Sequence, residues 1–211
     1  MDTVGDNLAE LTEAHIRRRV GLIATVFHEV VSGDLHLDVL HVAPSERKPF
    51  HLLCTSGMSA SPMSVPKEFA AHDRAEVCVL LDPSWPVGST DFEDEVNYWP
   101  VRLLKVIARL PHNSGTWVGS RHTLQNQNPP VPYADDVDYS GVILLPSLTL
   151  GPKFYRMELP SGSAVSFLCI YPLLRDEIDF ATSKGPDPLF DRFDGAGLKD
   201  VVTKRRASVL S

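Results

Sequence analysis

The chain has 211 residues, 43% of them hydrophobic and 22% charged, with a formal charge of −7. That length supports one core burying roughly 70% of the surface an unfolded chain exposes, and the composition excludes disorder and fibrous repeats. The acidic balance opposes general nucleic-acid binding, which draws on clustered Lys and Arg, and no run of about 18 apolar residues is present to span a membrane.

Residues 1–13 carry Asp2, Asp6, Glu10 and Glu13 and no base, the reverse of a secretory leader, so a cytoplasmic location is expected. Residues 8–20 predict an amphipathic surface helix with Leu8, Leu11, His15 and Arg18 on one face. Arg17, Arg18 and Arg19 favour its negative end, and Gly21 its stop. Residues 26–54 then read as short antiparallel strands: 26–30, a Ser32-Gly33-Asp34 turn, 35–42, a polar break at 43–48, and 50–55. The apolar run 75–81 is too short for a helix and suits a central strand.

Residues 98–110 predict a buried helix on the spacing of Trp99, Leu103, Val106, Ile107 and Leu110, with Pro100 placed in its first turn. A proline-rich loop covers 126–133. Strands are expected at 141–146, 153–159 and 163–171, the last two joined by a Pro160-Ser161-Gly162 hairpin turn. Residues 173–182 read as a helix and 187–193 as one more turn. The domain is drawn as 1–193, with 194–211 as a flexible tail carrying the basic run Lys204-Arg205-Arg206 and Ser208. No internal repeat and no second domain are read.

Cys54, Cys78 and Cys169 lie singly in apolar runs with no C-x-x-C pair, and are read as reduced core residues. His36 and Asp38 share a strand face two residues apart, with His28 and Glu29 on the preceding strand. No H-x-H or H-E-x-x-H element commits them to a metal, so paired polar residues on a solvated face is the preferred reading. Ser56-Gly57, and Cys54 near His51, are the local nucleophile candidates, but no Gly-x-Ser-x-Gly elbow surrounds them. No enzyme activity and no cofactor is expected. Trp85, Pro86, Trp117, Arg121, His122 and the 129–133 loop offer the aromatic, Arg and Pro surface favoured as interface anchors, and the acidic loop 91–95 is a weaker candidate. Partner strand addition at a sheet edge is the alternative mode.

Several strings, in order, resemble the suppressor of fused family: VFHE (26–29), HLDV (36–39), TSGMS (55–59), NYWPVRLLKVIARLPH (97–112), TWVG (116–119), HT (122–123), GVILLP (141–146), FYRMELPSG (154–162) and VSFLCIYPLLRDEIDF (165–180). The resemblance covers roughly residues 15–193. It implies an α+β fold with a mixed, mostly antiparallel sheet and packed helices, in agreement with the elements above, and no catalytic residues. It also implies a non-catalytic module that binds another protein, either a toxin or an extended peptide segment. Short bacterial members are viewed as immunity proteins, and an intracellular scaffold is the alternative. Many bacterial members show Gly-His-Thr where this chain has Arg121-His122-Thr123, and the eukaryotic protein has an acid beside the His. The departure points to a different, acidic ligand. Trp117, Arg121, His122, Thr123 and Tyr133 form the expected partner-binding set.

Overall fold

The first helix, α1 (Thr3–Arg19), presents Leu8, Thr12, His15 and Ile16 to the protein interior. That is a row at i, i+4, i+7 and i+8, the stripe one helix face offers. Arg18, expected on this face, is exposed instead, and gathers with Arg17 and Arg19 in the last turn. The computed structural model describes residues 3–29 and 35–211, with side chains from Leu8 onward, so the expected 32–34 turn lies outside the described residues.

Strands β1 (Ile23–Phe27), β2 (Asp38–Val42), β3 (His51–Ser56) and β4 (Ala75–Leu81) form an antiparallel meander. Every residue of β4 is buried, as expected of a central strand. Helix α2 (Glu95–Ser114) follows, and then β5 (Thr123–Gln125) and β6 (Tyr139–Leu145). The remaining elements are α3 (Pro152–Tyr155), β7 (Arg156–Glu158), β8 (Ala164–Leu174), α4 (Arg175–Lys184), α5 (Asp187–Gly195) and β9 (Val201–Val202).

The sheet runs β1-β2-β3-β4-β8-β6-β5. Among the described residues, only the β4–β8 and β4–β9 pairs are parallel. Long β8 is shared along one edge, first by β7 and then by β6. Helix α2 covers one face, over Val39, Leu53, Val77, Val79, Val142, Leu168 and Ile170. Helices α1, α3, α4 and α5 cover the other, over Leu40, Leu52, Cys54, Cys78, Leu80, Ile143, Phe167 and Cys169. Alternate residues of each strand thus serve opposite layers, the period-two pattern of a sheet buried on both faces.

Several boundaries differ from expectation. Asp94 accepts a hydrogen bond from the Val96 N–H at 3.0 Å and starts α2 at Glu95, three residues early. Pro100 therefore lies past the first turn, and the burial of Trp99, Val101, Leu103, Leu104 and Ile107 offsets a penalty of about 3 kcal/mol. Val106, expected in the core, is 56% exposed because Leu103, Leu104 and Ile107 already fill the sheet side. The expected strand 153–159 is divided: Pro152 opens the short α3, and only three residues join β8. The hairpin turn is as read, with Gly162 at φ 85.

The tail is the largest correction. Residues 201–202 pair with β4, and Val209 and Leu210 pack on the core. Arg206 then clips residues 204–211 to α4 through Glu177.

Candidate functional site

The TSGMS string builds a nest around a buried carboxylate. Glu76, on β4, is fully buried and accepts from Thr55 Oγ1 (2.5 Å), Gly57 N (3.1 Å), Ser59 N (3.0 Å) and Ser59 Oγ (2.7 Å). Gly57 holds φ at 126, and a Cβ there would stand 2.2 Å from the His36 carbonyl oxygen, so only glycine fits the turn. Arg74 closes the loop by donating to Ser59 O and Ala60 O. Each of the carboxylate's donors comes from this chain, so the nest is structural.

The expected partner-binding residues do not form one cluster. Trp117 stacks on Phe69 (ring centroids 4.9 Å apart) and meets His122 edge-on (4.3 Å). Burial lowers the pKa of His122, which favours the neutral ring. Phe69 and Trp117 border a cavity of about 100 Å³ with His72, Gly119, Ser120 and Tyr155, while His122 packs against the Trp117 ring. Arg121 turns to the opposite layer, pairing with Asp187 of α5 at 2.8 Å and lying over the Phe190 ring. The turn at 119–122, closed by a hydrogen bond from His122 N–H to Gly119 O, separates these neighbours. Tyr133, expected at the surface, is buried and stacked on Trp99 at 5.3 Å, with burial pushing its phenol up. Trp85 is likewise core, its indole N–H donating to Asn97 O. The 91–95 loop serves as the cap of α2.

Arg121 has φ 74, the left-handed region that favours glycine. The Gly found at this position in many bacterial members therefore has a backbone reason, separate from any ligand. Sequence reading missed Phe69, whose segment carries no aromatic pattern, and Asp187 and Phe190, which lie far along the chain. Gly119 was a usable signal: a Cβ there would meet the Trp117 ring at 2.6 Å.

Thr123 lies on β5, the terminal strand of the sheet, paired to β6 alone. Leu144 N bonds to His122 O and Asn126 N to Ser140 O, so the even-numbered residues here bond inward. By antiparallel alternation, Thr123 and Gln125 turn their N–H and C=O outward. The result is an open edge that continues from His122, beside the Phe69–Trp117 cleft.

His28 Nδ1 and His36 Nε2 do approach Asp38, at 3.2 and 3.4 Å, but they take separate carboxylate oxygens rather than converging on one point. Among the described residues, no group of three or more His, Cys, Asp or Glu could hold a metal ion. Cys54, Cys78 and Cys169 are free and fully buried, and burial raises the Cys54 and Cys169 thiols above their usual range. Cys54 is thus no nucleophile. His51 instead faces His41, with ring nitrogens 2.9 Å apart. Among the described residues, no helix is long and apolar enough to cross a membrane.

These features define the class: a single α+β domain with a mixed, mostly antiparallel sheet, helices on both faces, and an open strand edge. Residues 33–207 match the family model described as Suppressor of fused protein (SUFU), and the chain belongs to that family. Among solved structures, the chain is similar to a SUFU homolog from Neisseria gonorrhoeae FA 1090, at 16% identity and a TM-score of 0.65, covering 97% of each chain. It is similar to a chain of the Sufu–Fu complex at 12% identity and a TM-score of 0.65, covering 98% of this chain and 92% of that one. Drosophila Suppressor of Fused matches at 12% identity and a TM-score of 0.62, with all of this chain superposing on 54% of that protein. At such identities the likeness establishes the fold. No curated protein matches the chain.

Proposed function

We propose that this chain is a non-catalytic protein-binding module with a scaffold or regulatory role, holding an extended segment of a partner along the outer edge of β5. The observation that carries the reading is the outward N–H and C=O of Thr123 and Gln125 beside the Phe69–Trp117 cleft. Backbone pairing supplies affinity and the cleft supplies selection. Membership of the SUFU family and the likeness to a chain of the Sufu–Fu complex support a role in holding another protein. The narrower reading, in which the partner is a toxin, draws on the resemblance of short bacterial members alone, and growth rescue on co-expression tests it.

A photo-crosslinking residue at position 125, used in living host cells, is expected to trap a discrete protein adduct. Thr123→Pro removes an outward donor without touching the inner ladder, and is expected to abolish the adduct. Absence of an adduct, or an unchanged adduct in Thr123→Pro, would overturn the reading.

A further inference from the structure

On the α1 side of the molecule, Arg19, Arg47, Lys48 and Lys199 border an open trough of about 500 Å³ whose remaining walls include Phe50, Leu150 and Leu198. Among the described residues, none of these four cations pairs with a carboxylate, although acids outnumber bases in the chain as a whole. Arg19 Nε is buried with no hydrogen-bond partner among the described residues. Among the described residues lining the trough, the single carboxylate is Asp200, which is buried and turned into the fold, where it accepts from the Thr149 N–H at 3.2 Å and from the Ser147 and Thr149 hydroxyls. Lys48 donates to Arg19 O and Val20 O, both at 2.6 Å, which offsets the negative end of α1 that would otherwise repel an anion. At the rim, Leu148 is 67% exposed.

We propose that this trough binds an extended acidic segment of a partner protein, its carboxylates facing Arg47, Lys199 and Arg19 and an apolar side chain seated on Leu148. Charge complementarity selects an anion. The exposed leucine and apolar floor select a peptide over a phosphate chain, which has no apolar group to bury, and the net charge of −7 disfavours nucleic acid. The inference rests on the partner-binding reading and names the chemistry of a second contact, on a surface other than the β5 edge.

The test is an amide-resonance titration of the isotope-labelled full chain with a short glutamate-rich peptide carrying one central leucine. Shifts are expected at residues 47–50, 148–150 and 198–201, with affinity falling about tenfold or more in Arg47→Glu/Lys199→Glu and weakening as salt is raised. Both substituted residues are exposed, so the variant should keep its fold. Leu148→Ser supplies a second arm, expected to weaken the peptide without changing its salt dependence. Thr123→Pro should bind the peptide as the parent does. No shifts, shifts elsewhere, undiminished affinity in the double variant, or equal binding by an oligothymidylate would overturn this proposal. A position-125 crosslink that persists alongside any of those results leaves the β5 reading standing.

Discussion

Glu76 and Glu177 are both fully buried carboxylates, and they are satisfied in opposite ways. Glu76 takes neutral donors from the adjoining 55–59 loop. Glu177 takes both terminal nitrogens of Arg206 at 2.5 Å, together with the Leu174 and Val209 N–H groups at 3.0 Å. A nest of neutral dipoles fixes a loop, whereas an ion pair of this kind, with the Ser208–Asp176 hydrogen bond beside it, fixes a chain end to a helix. The first device depends on backbone shape and the second on a single distant cation.

Removing that cation should have the largest effect. Arg206→Ala strands a buried charge and is expected to cost about 3–5 kcal/mol in urea unfolding. Arg206→Met combined with Glu177→Leu should recover most of the loss, since apolar residues of similar volume often replace a buried pair at little cost. A double variant no better than the single one would break the contrast with Glu76.

Glu76→Gln leaves one acceptor oxygen for the loop's donors and places an amide against the rest, at an expected cost of about 1–3 kcal/mol. No single partner substitution should rescue it, because the donors include two backbone N–H groups. A lowered melting temperature that a second change at Thr55 restores would contradict the nest.

Acid should separate a third device from both carboxylates. Burial, followed by the neighbouring His51, lowers the pKa of His41 from 6.5 to about 4, and burial also lowers that of His51. A depressed histidine favours the folded state fully above its unfolded value, and that contribution is lost as pH falls from about 6.5 toward 4. The melting temperature should drop across that window, and His41→Leu should flatten the slope. An unchanged slope would place the acid sensitivity elsewhere.

The smallest effect is expected at Arg121. Glycine relieves a left-handed conformation worth roughly 1–2 kcal/mol, while the greater freedom of the unfolded chain and the loss of an exposed ion pair act against it. Arg121→Gly should therefore change stability by less than about 1 kcal/mol in thermal melts. A larger loss would show that Arg121 holds α5 through Asp187 and Phe190.

Much of the fold is legible because it follows periodicity. The 75–81 run, apolar but for Glu76, announces a strand buried on both faces, and the Trp99 to Leu110 spacing announces α2. What escapes reading depends on partners distant in the chain. Nothing around Arg206 distinguishes a clip from a solvated basic tail, since its partner lies 29 residues away. Pro152 and Asp94 carried local signals, as a helix opener and a cap, that apolar patterning outweighed. The site was half legible: the aromatic and basic character of the 117–122 segment was read from residue type, whereas the strand at 123–125 was not. The separation of Arg121 and the burial of Tyr133 follow from a left-handed turn and from stacking on Trp99, which residue type does not reveal.

The cysteines carry a practical consequence. Cys54, Cys78 and Cys169 stand side by side in register across β3, β4 and β8, at the centre of the sheet. No reagent reaches them without parting those strands, so their alkylation under native conditions is a stopwatch for global opening. When reclosing outruns the reagent, the labelling rate scales with the population of the open form. Comparing that rate between parent and Arg206→Ala would show whether the terminal clip guards the whole sheet or only its own corner.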